Sequence, residues 1–278
     1  MEVDVRLPPG LDAKLHRLQE ILRGMGRVLI AFSGGVDSSF LLRVAVDELG
    51  DDVVALTTRS PTEVGDDFAL AVALAEELGV RHEVVDADEL EIPGYAANPV
   101  NRCYFCKSNL FEVCRREAPR LRVDCIADGA NLDDLGDYRP GLAAAGEHAV
   151  RHPLVEAELG KAEIRALSRH FGLPTWDKPS SPCLSSRFPY GTPITREGLG
   201  KVAAGETLLR ELGFRECRLR FHDKVARIEV PVAELARLVE PEMRQRVARG
   251  LREIGFLWVT VDLDGFRSGS LNEALRKD

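Results

Sequence analysis

No apolar stretch in this 278-residue chain approaches the ~20 residues that a membrane span requires, so no membrane partner is expected. The opening residues, Met1-Glu-Val-Asp4, have neither a basic region nor an apolar one, which excludes a secretory signal and predicts a cytoplasmic protein. Six cysteines without an export signal make structural disulfides an unsuitable explanation for any of them. Positive charge is also short. There are 37 Lys and Arg against 45 Asp and Glu, a net −8, whereas domains that coat nucleic acid carry a basic footprint. Nucleic acid is therefore not the expected partner, although a local basic pocket is compatible with this balance. Internal repeats and low-complexity tracts are absent. Hydrophobic residues make up 45%, enough for a substantial core in one large domain or two modest ones.

Two nucleotide signatures are missing as well: no Gly-Lys-Ser/Thr closes a phosphate loop, and G-x-G-x-x-G does not occur. What stands instead is Val28-Leu-Ile-Ala-Phe32 followed by Ser33-Gly-Gly-Val-Asp-Ser-Ser39. The apolar run predicts a buried parallel strand, and Phe40 to Leu49 predicts a helix. Gly34 and Gly35 let backbone approach a ligand closely, and a helix start offers unpaired N–H groups to an anion. Ser33, Ser38 and Ser39 add hydroxyl donors, and Asp37 can hold a cation. The bland alternative is an ordinary tight strand–helix turn. The segment resembles the PP-loop of ATP pyrophosphatases, which implies ATP cleavage between the α- and β-phosphates and an adenylated intermediate.

Strands and helices alternate thereafter: strands at 53–57, 81–85 and 123–127, and helices at 66–78, 103–116 and 161–171. Leu70, Leu74 and Leu78 mark the inner face of one helix, with Gly79 behind it, and the 103–116 helix stops before Pro119. The fold class is α/β, a Rossmann-like parallel sheet with helices on both faces. Ligands in such sheets bind at the carboxyl ends of the strands. There the Ser33 loop, Thr57-Thr-Arg-Ser60 with Thr58, and Asp128-Gly-Ala-Asn-Leu-Asp-Asp134 gather. Asp128, Gly129 and Asn131 are thus nucleotide candidates beside Asp134, with turn or capping roles as the alternative. A proline- and serine-rich loop runs from Trp176 to Thr192. After it come a helix at 196–212, strands at 217–222 and 225–230, a helix at 241–254 and a strand at 256–262. This predicts a PP-loop domain over 1–190 and a small α/β domain over 191–278.

Cys103 and Cys106 form a C-x-x-C that suits half a zinc site, a redox pair or two core residues. No second C-x-x-C completes a four-cysteine zinc site, and no thioredoxin-like context supports the redox reading. Cys183 lies in the irregular loop near Lys178 and Arg187, cations that favour a thiolate. If the fold brings this loop over the strand ends, three thiolates meet near the ATP site. Three thiolates suit an iron–sulfur cluster and leave one cluster iron without a protein ligand, open to carry an extra sulfide. Cys114, Cys125 and Cys217 fall at core-like positions.

Taken together, the Ser33, Asn101-Arg-Cys-Tyr-Phe-Cys-Lys107, Asp128 and Ser181-Pro-Cys-Leu-Ser-Ser-Arg-Phe-Pro-Tyr-Gly191 segments resemble the LarE-type ATP-dependent sulfur transferases. Arg218-Leu-Arg220, Ala226-Arg-Ile-Glu229 and Asp262-Leu-Asp-Gly-Phe-Arg-Ser-Gly-Ser270 extend the likeness over nearly the whole chain. The resemblance implies an enzyme that uses ATP and Mg²⁺ to adenylate the carboxylates of a pyridinium dicarboxylate mononucleotide. Sulfur then replaces oxygen, in two rounds, for the nickel-pincer nucleotide. Cys183 matches the position that donates its own sulfur in simpler members. Cys103, Cys106 and Cys183 match the group thought to hold a 4Fe-4S cluster. On this reading Asp37 is a magnesium ligand, and Arg187, Arg218 and Arg220 are candidates for the substrate phosphate. A solvated strand face is the alternative for Arg218 and Arg220. The family also suggests a homo-oligomer, a hexamer being one candidate, with contacts from the C-terminal domain. The competing readings are a PP-loop tRNA thiolase, an amide-forming PP-loop synthetase, and a non-enzymatic nucleotide sensor whose cysteines merely hold a metal.

Overall fold

A computed structural model describes residues 8, 10–63, 67–136, 140–179, 182–267 and 269–275. Met1–Asp4, Asp66, Ser181 and Ser268, used above, lie outside them. The chain divides into two compact units, the first comprising Met1–Ser60, Asp66–Ile92 and Asn101–Ser181. The second comprises Pro61–Gly65, Pro93–Val100 and Pro182–Asp278.

In chain order the first unit contains α1 (Leu11–Arg23), β1 (Val28–Ala31), α2 (Val36–Leu49), β2 (Val53–Arg59), α3 (Asp67–Glu77) and β3 (Arg81–Asp86). It continues with α4 (Arg102–Leu121), β4 (Cys125–Asp128), α5 (Pro140–Glu147), α6 (Pro153–Glu156) and α7 (Lys161–His170). The four strands pair in parallel in the order β3-β2-β1-β4. Side chains alternate across such a sheet. Val28, Ile30, Val53 and Ala55 accordingly enter one core with residues of α1, α2, α3 and α7. Leu29, Ala31, Val54 and Leu56 enter the other, with residues of α4 and α5. Helices thus cover both faces, which is why β1 is apolar throughout.

Several boundaries differ from expectation. The helix after the glycine loop begins at Val36, four residues ahead of Phe40. Gly35 is extended (φ −79°, ψ 169°) and serves as its N-cap, so Asp37, Ser38 and Ser39 occupy the first helical turn. The α4 helix runs through Pro119 to Leu121, since buried Phe111, Cys114 and Leu121 hold it to the sheet. It ends where Arg122 turns left-handed at φ 55°. On α3 the inner face is Ala71, Leu74 and Ala75, and Leu70 is exposed. Helix α1 has no counterpart among the expected elements; it buries Leu11, Leu18 and Leu22.

The second unit contains α8 (Arg196–Glu211), β5 (Arg218–His222), β6 (Val225–Glu229), α9 (Leu235–Val239), α10 (Pro241–Ile254) and β7 (Trp258–Val261). Its sheet is mixed: β6 pairs antiparallel with β5 and parallel with β7. Leu209, Leu219, Ile228, Leu251 and Phe256 form its core. No described helix is long and apolar enough to cross a membrane.

Candidate functional site

The carboxyl ends of β1, β2 and β4 are neighbours in the sheet, and the expected loops leave from them. Phe32 leaves β1 held on both sides: its amide donates to the Leu56 carbonyl (2.8 Å), and its carbonyl accepts from the Thr57 hydroxyl (2.7 Å). His82 Nε2 lies 2.8 Å from the same hydroxyl. Gly34 then adopts φ +66°, and a Cβ there would come within 2.8 Å of the Ala71 Cβ, so only glycine fits. The Ser33 amide donates to Ser38 Oγ (3.3 Å), and that hydroxyl contacts Ser33 Oγ (3.1 Å) and the Gly35 carbonyl (3.3 Å). The loop is thereby folded over the amino end of α2, where N–H groups and the helix dipole favour an anion.

Two lysines missed as loop partners complete this region. Lys161, which opens α7, pairs with Asp37 Oδ2. Lys178 donates to the Gly34 carbonyl (3.0 Å) and pairs with Asp67 (3.1 Å). Asp37 Oδ1 and Ser39 Oγ are buried with no hydrogen-bond partner among the described residues. An unpartnered carboxylate oxygen beside an anion-binding helix end suits a divalent cation carried with polyphosphate. Asp37 could hold such an ion.

The loop after β4 closes against this turn. A Cβ on Gly129 would stand 2.8 Å from the Ser38 amide nitrogen. Asp128, nearly buried, accepts from the Ala130 amide (3.1 Å) and from His152 Nδ1 (2.6 Å). Burial alone would raise the Asp128 pKa; the His152 hydrogen bond and the Lys107 charge outweigh it and hold it below the usual carboxylate range. The same hydrogen bond raises His152 above its ordinary value, against the opposing effect of burial. Asn131 Oδ1 accepts from the Asp133 amide (3.0 Å), and its own amide donates to Asp134 Oδ2 (3.1 Å). These are turn-forming bonds, the alternative weighed for this segment. Thr58 sits half-buried near the end of β2, opposite Val85.

Cys103 is exposed and Cys106 half-buried in the first turns of α4, spaced to share one helix face. Cys106 Sγ is 4.0 Å from Glu89 Oε1. Cys114 and Cys217 are fully buried, and burial pushes each thiol up to about 12, so both stay protonated. Burial also raises Cys125. Among the described residues no group of three or more His, Cys, Asp or Glu side chains is placed to hold a metal ion.

In the second unit Cys183 is half-buried and caps a short turn, Leu184–Arg187. Arg187, expected on the substrate phosphate, is instead fully buried: Nε and Nη2 pair with Glu206 (2.7 and 2.9 Å). Arg220 is likewise held by Glu229 (2.9 and 2.7 Å), and its Nη1 and Nη2 also donate to the Ser186 carbonyl (2.9 Å) and Ser270 Oγ (2.7 Å). Both guanidinium groups have carboxylate partners that a phosphate would have to displace. Arg218 lies over the Phe266 ring (5.0 Å) and donates to the Cys217 carbonyl (2.8 Å). Burial, then the like charge of Arg187, lowers its pKa.

Comparison with known proteins bears on this site. A family model described as NAD synthase matches residues 16–110. The chain is 45% identical over 267 residues to an uncharacterized protein of Synechocystis, spanning 96% of this chain and all of that one. It is 39% identical over 268 residues to the pyridinium-3,5-bisthiocarboxylic acid mononucleotide synthase of Lactiplantibacillus plantarum, spanning 96% of each. A tRNA-specific 2-thiouridylase of Desulforamulus reducens matches more narrowly, 28% identical over 56% of this chain. With a glycine- and serine-rich loop joining a parallel strand to a helix, and near-full-length identity to that synthase, the chain belongs to the LarE-type family of ATP-dependent sulfur transferases.

Proposed function

We propose that this enzyme adenylates the carboxylates of pyridinium-3,5-biscarboxylic acid mononucleotide and converts them to thiocarboxylates for the nickel-pincer nucleotide. The observation that carries this is the match over 96% of both chains to a synthase of the bisthiocarboxylate product. A carboxylate is a poor electrophile, and its attack on the ATP α-phosphorus gives an acyl-adenylate with AMP as leaving group. Charge develops on the departing pyrophosphate. The α2 amino end, the Ser33 and Ser38 hydroxyls, Lys161 and Lys178 supply the compensating donors, the part that the missing Walker lysine plays elsewhere. Mg²⁺, held by Asp37, would neutralise phosphate charge.

Cys183 then supplies the sulfur nucleophile. Its thiolate attacks the acyl carbon and expels AMP, forming a thioester. Cleavage of the cysteine Cβ–S bond, with loss of the α-proton, releases the thiocarboxylate and leaves dehydroalanine. In the catalytic variant of this scheme, Cys103, Cys106 and Cys183 would hold a 4Fe-4S cluster that supplies sulfide without consuming the protein. What supports this variant is the family resemblance together with Cys103 and Cys106 standing one helical turn apart on α4, a spacing that suits two ligands of such a cluster. We place the enzyme in the cytoplasm as a homo-oligomer, which sedimentation at working concentration tests.

The deciding experiment is ATP:PPi exchange with the dicarboxylate mononucleotide, followed by mass analysis of the product. Exchange with sulfur gained by the mononucleotide is expected. Exchange that depends on tRNA would overturn this in favour of a thiolase, and no exchange with any carboxylate would favour a sensor.

A further inference from the structure

We infer that Arg187 is a positioning residue for Cys183: paired with Glu206, it fixes the turn that presents the thiol and does not bind the substrate phosphate. The inference rests on the sulfur-transfer reading above. Cys183 stands in an irregular segment, whose carbonyls lack partners from regular structure. Arg187 supplies them. Its Nη1 donates to the Pro182 carbonyl (2.5 Å), the Cys183 carbonyl (3.2 Å) and Ser186 Oγ (2.9 Å). Its other edge is locked by Glu206, whose Oε1 also accepts from the Leu219 amide of β5 (3.1 Å). The guanidinium thus ties both carbonyls around the thiol to α8 and to the sheet.

Other bonds brace the same turn within this unit. The Leu184 amide donates to the Thr62 carbonyl (2.8 Å), and Tyr95 and Ser185 share a hydroxyl contact (2.9 Å). Arg220 holds the Ser186 carbonyl. A buried ion pair adds little net stability, because desolvation offsets attraction. Orientation is what this one supplies. Only a planar guanidinium can pair a carboxylate on one edge and hold carbonyls on the other; an ammonium cannot span both.

The test uses the full chain carrying Arg187→Lys, with Glu206→Gln as an isosteric second variant should the first not fold. Folding is checked by near-UV circular dichroism. ATP:PPi exchange is expected to stay within about twofold of wild type. Sulfur transfer should fall about 10- to 100-fold, the scale of an ångström-sized misplacement. Iodoacetamide labelling of Cys183, mapped by peptide mass, should accelerate as the turn loosens. Exchange and transfer falling together in a folded variant would overturn the inference, as would a raised KM for the mononucleotide alone. Unchanged labelling and transfer would do the same. If wild type itself transfers no sulfur, the functional reading fails, and the labelling rate still reports whether Arg187 holds Cys183.

Discussion

Gly129 packs so closely on Ser38 that a β-carbon would lie 2.8 Å from the Ser38 amide nitrogen and 3.0 Å from its Cα. The contact joins the end of β4 to the first turn of α2. Gly129→Ala is expected to cost about 1–3 kcal/mol, the range for overpacking. Because the displaced atoms belong to the phosphate loop, KM for ATP should rise as well. Urea unfolding and exchange kinetics read the two effects separately; a loss of stability with unchanged KM would detach Gly129 from the nucleotide.

Asp37→Asn removes the charge opposite Lys161 and the anionic character of the unpartnered oxygen proposed to hold Mg²⁺. Exchange kcat is expected to drop about 10²- to 10³-fold, and the Mg²⁺ concentration for half-maximal rate to rise. Stability should change little, since both partners of the ion pair are partly exposed. An unaltered Mg²⁺ dependence would remove Asp37 as the ligand.

The Asp128–His152 pair predicts a pH signature. His152 is raised in the folded chain, so its contribution is complete below the ordinary imidazole value of about 6.5 and is lost as pH climbs through the raised value. Asp128 is lowered, so its contribution is present above about 3.9 and disappears as pH falls through the lowered value. Asp128→Asn should therefore destabilise most between those limits and less in alkali. Thermal unfolding across pH checks this, and a difference independent of pH would contradict it.

Cys183→Ala is expected to retain ATP:PPi exchange and lose sulfur transfer, because adenylation needs no thiol. Anaerobic reconstitution of wild type should give a visible iron–sulfur absorption band, and Cys103→Ala should abolish it. Absence of the band, with Cys183 losing the mass of H₂S after turnover, would instead make the cysteine itself the donor.

The sequence made the first sheet and its loop legible because a doubly covered strand must be apolar throughout and a phosphate loop needs small residues. The start of α2 was less so: Asp37, Ser38 and Ser39 are turn formers by local preference, yet the extended Gly35 lets the helix begin before them. Lys161 and His152 escaped notice because each reaches its partner from a separate element, with no local spacing to mark the pair. Arg220 could have been read. The two-residue turn at Asp223 and Lys224 sets Arg220 opposite Arg227 and diagonal to Glu229, a cross-strand ion pair. Alternation showed that Arg218 and Arg220 share a face; it could not show which carboxylate waits there. Arg187 was harder still, since Glu206 lies on a helix 19 residues away in sequence.

Thr62 and Tyr95, which tie down Leu184 and Ser185, are contributed by short excursions of the chain that interrupt the first unit. A gene split at residue 181 would strand those ties on the wrong fragment. The turn that carries Cys183 therefore cannot be inherited as a detachable cassette or exchanged by recombination at a single junction. Any lineage that keeps Cys183 in its present setting must keep the residues interleaved with β2 and β3 as well, and the two must diverge together.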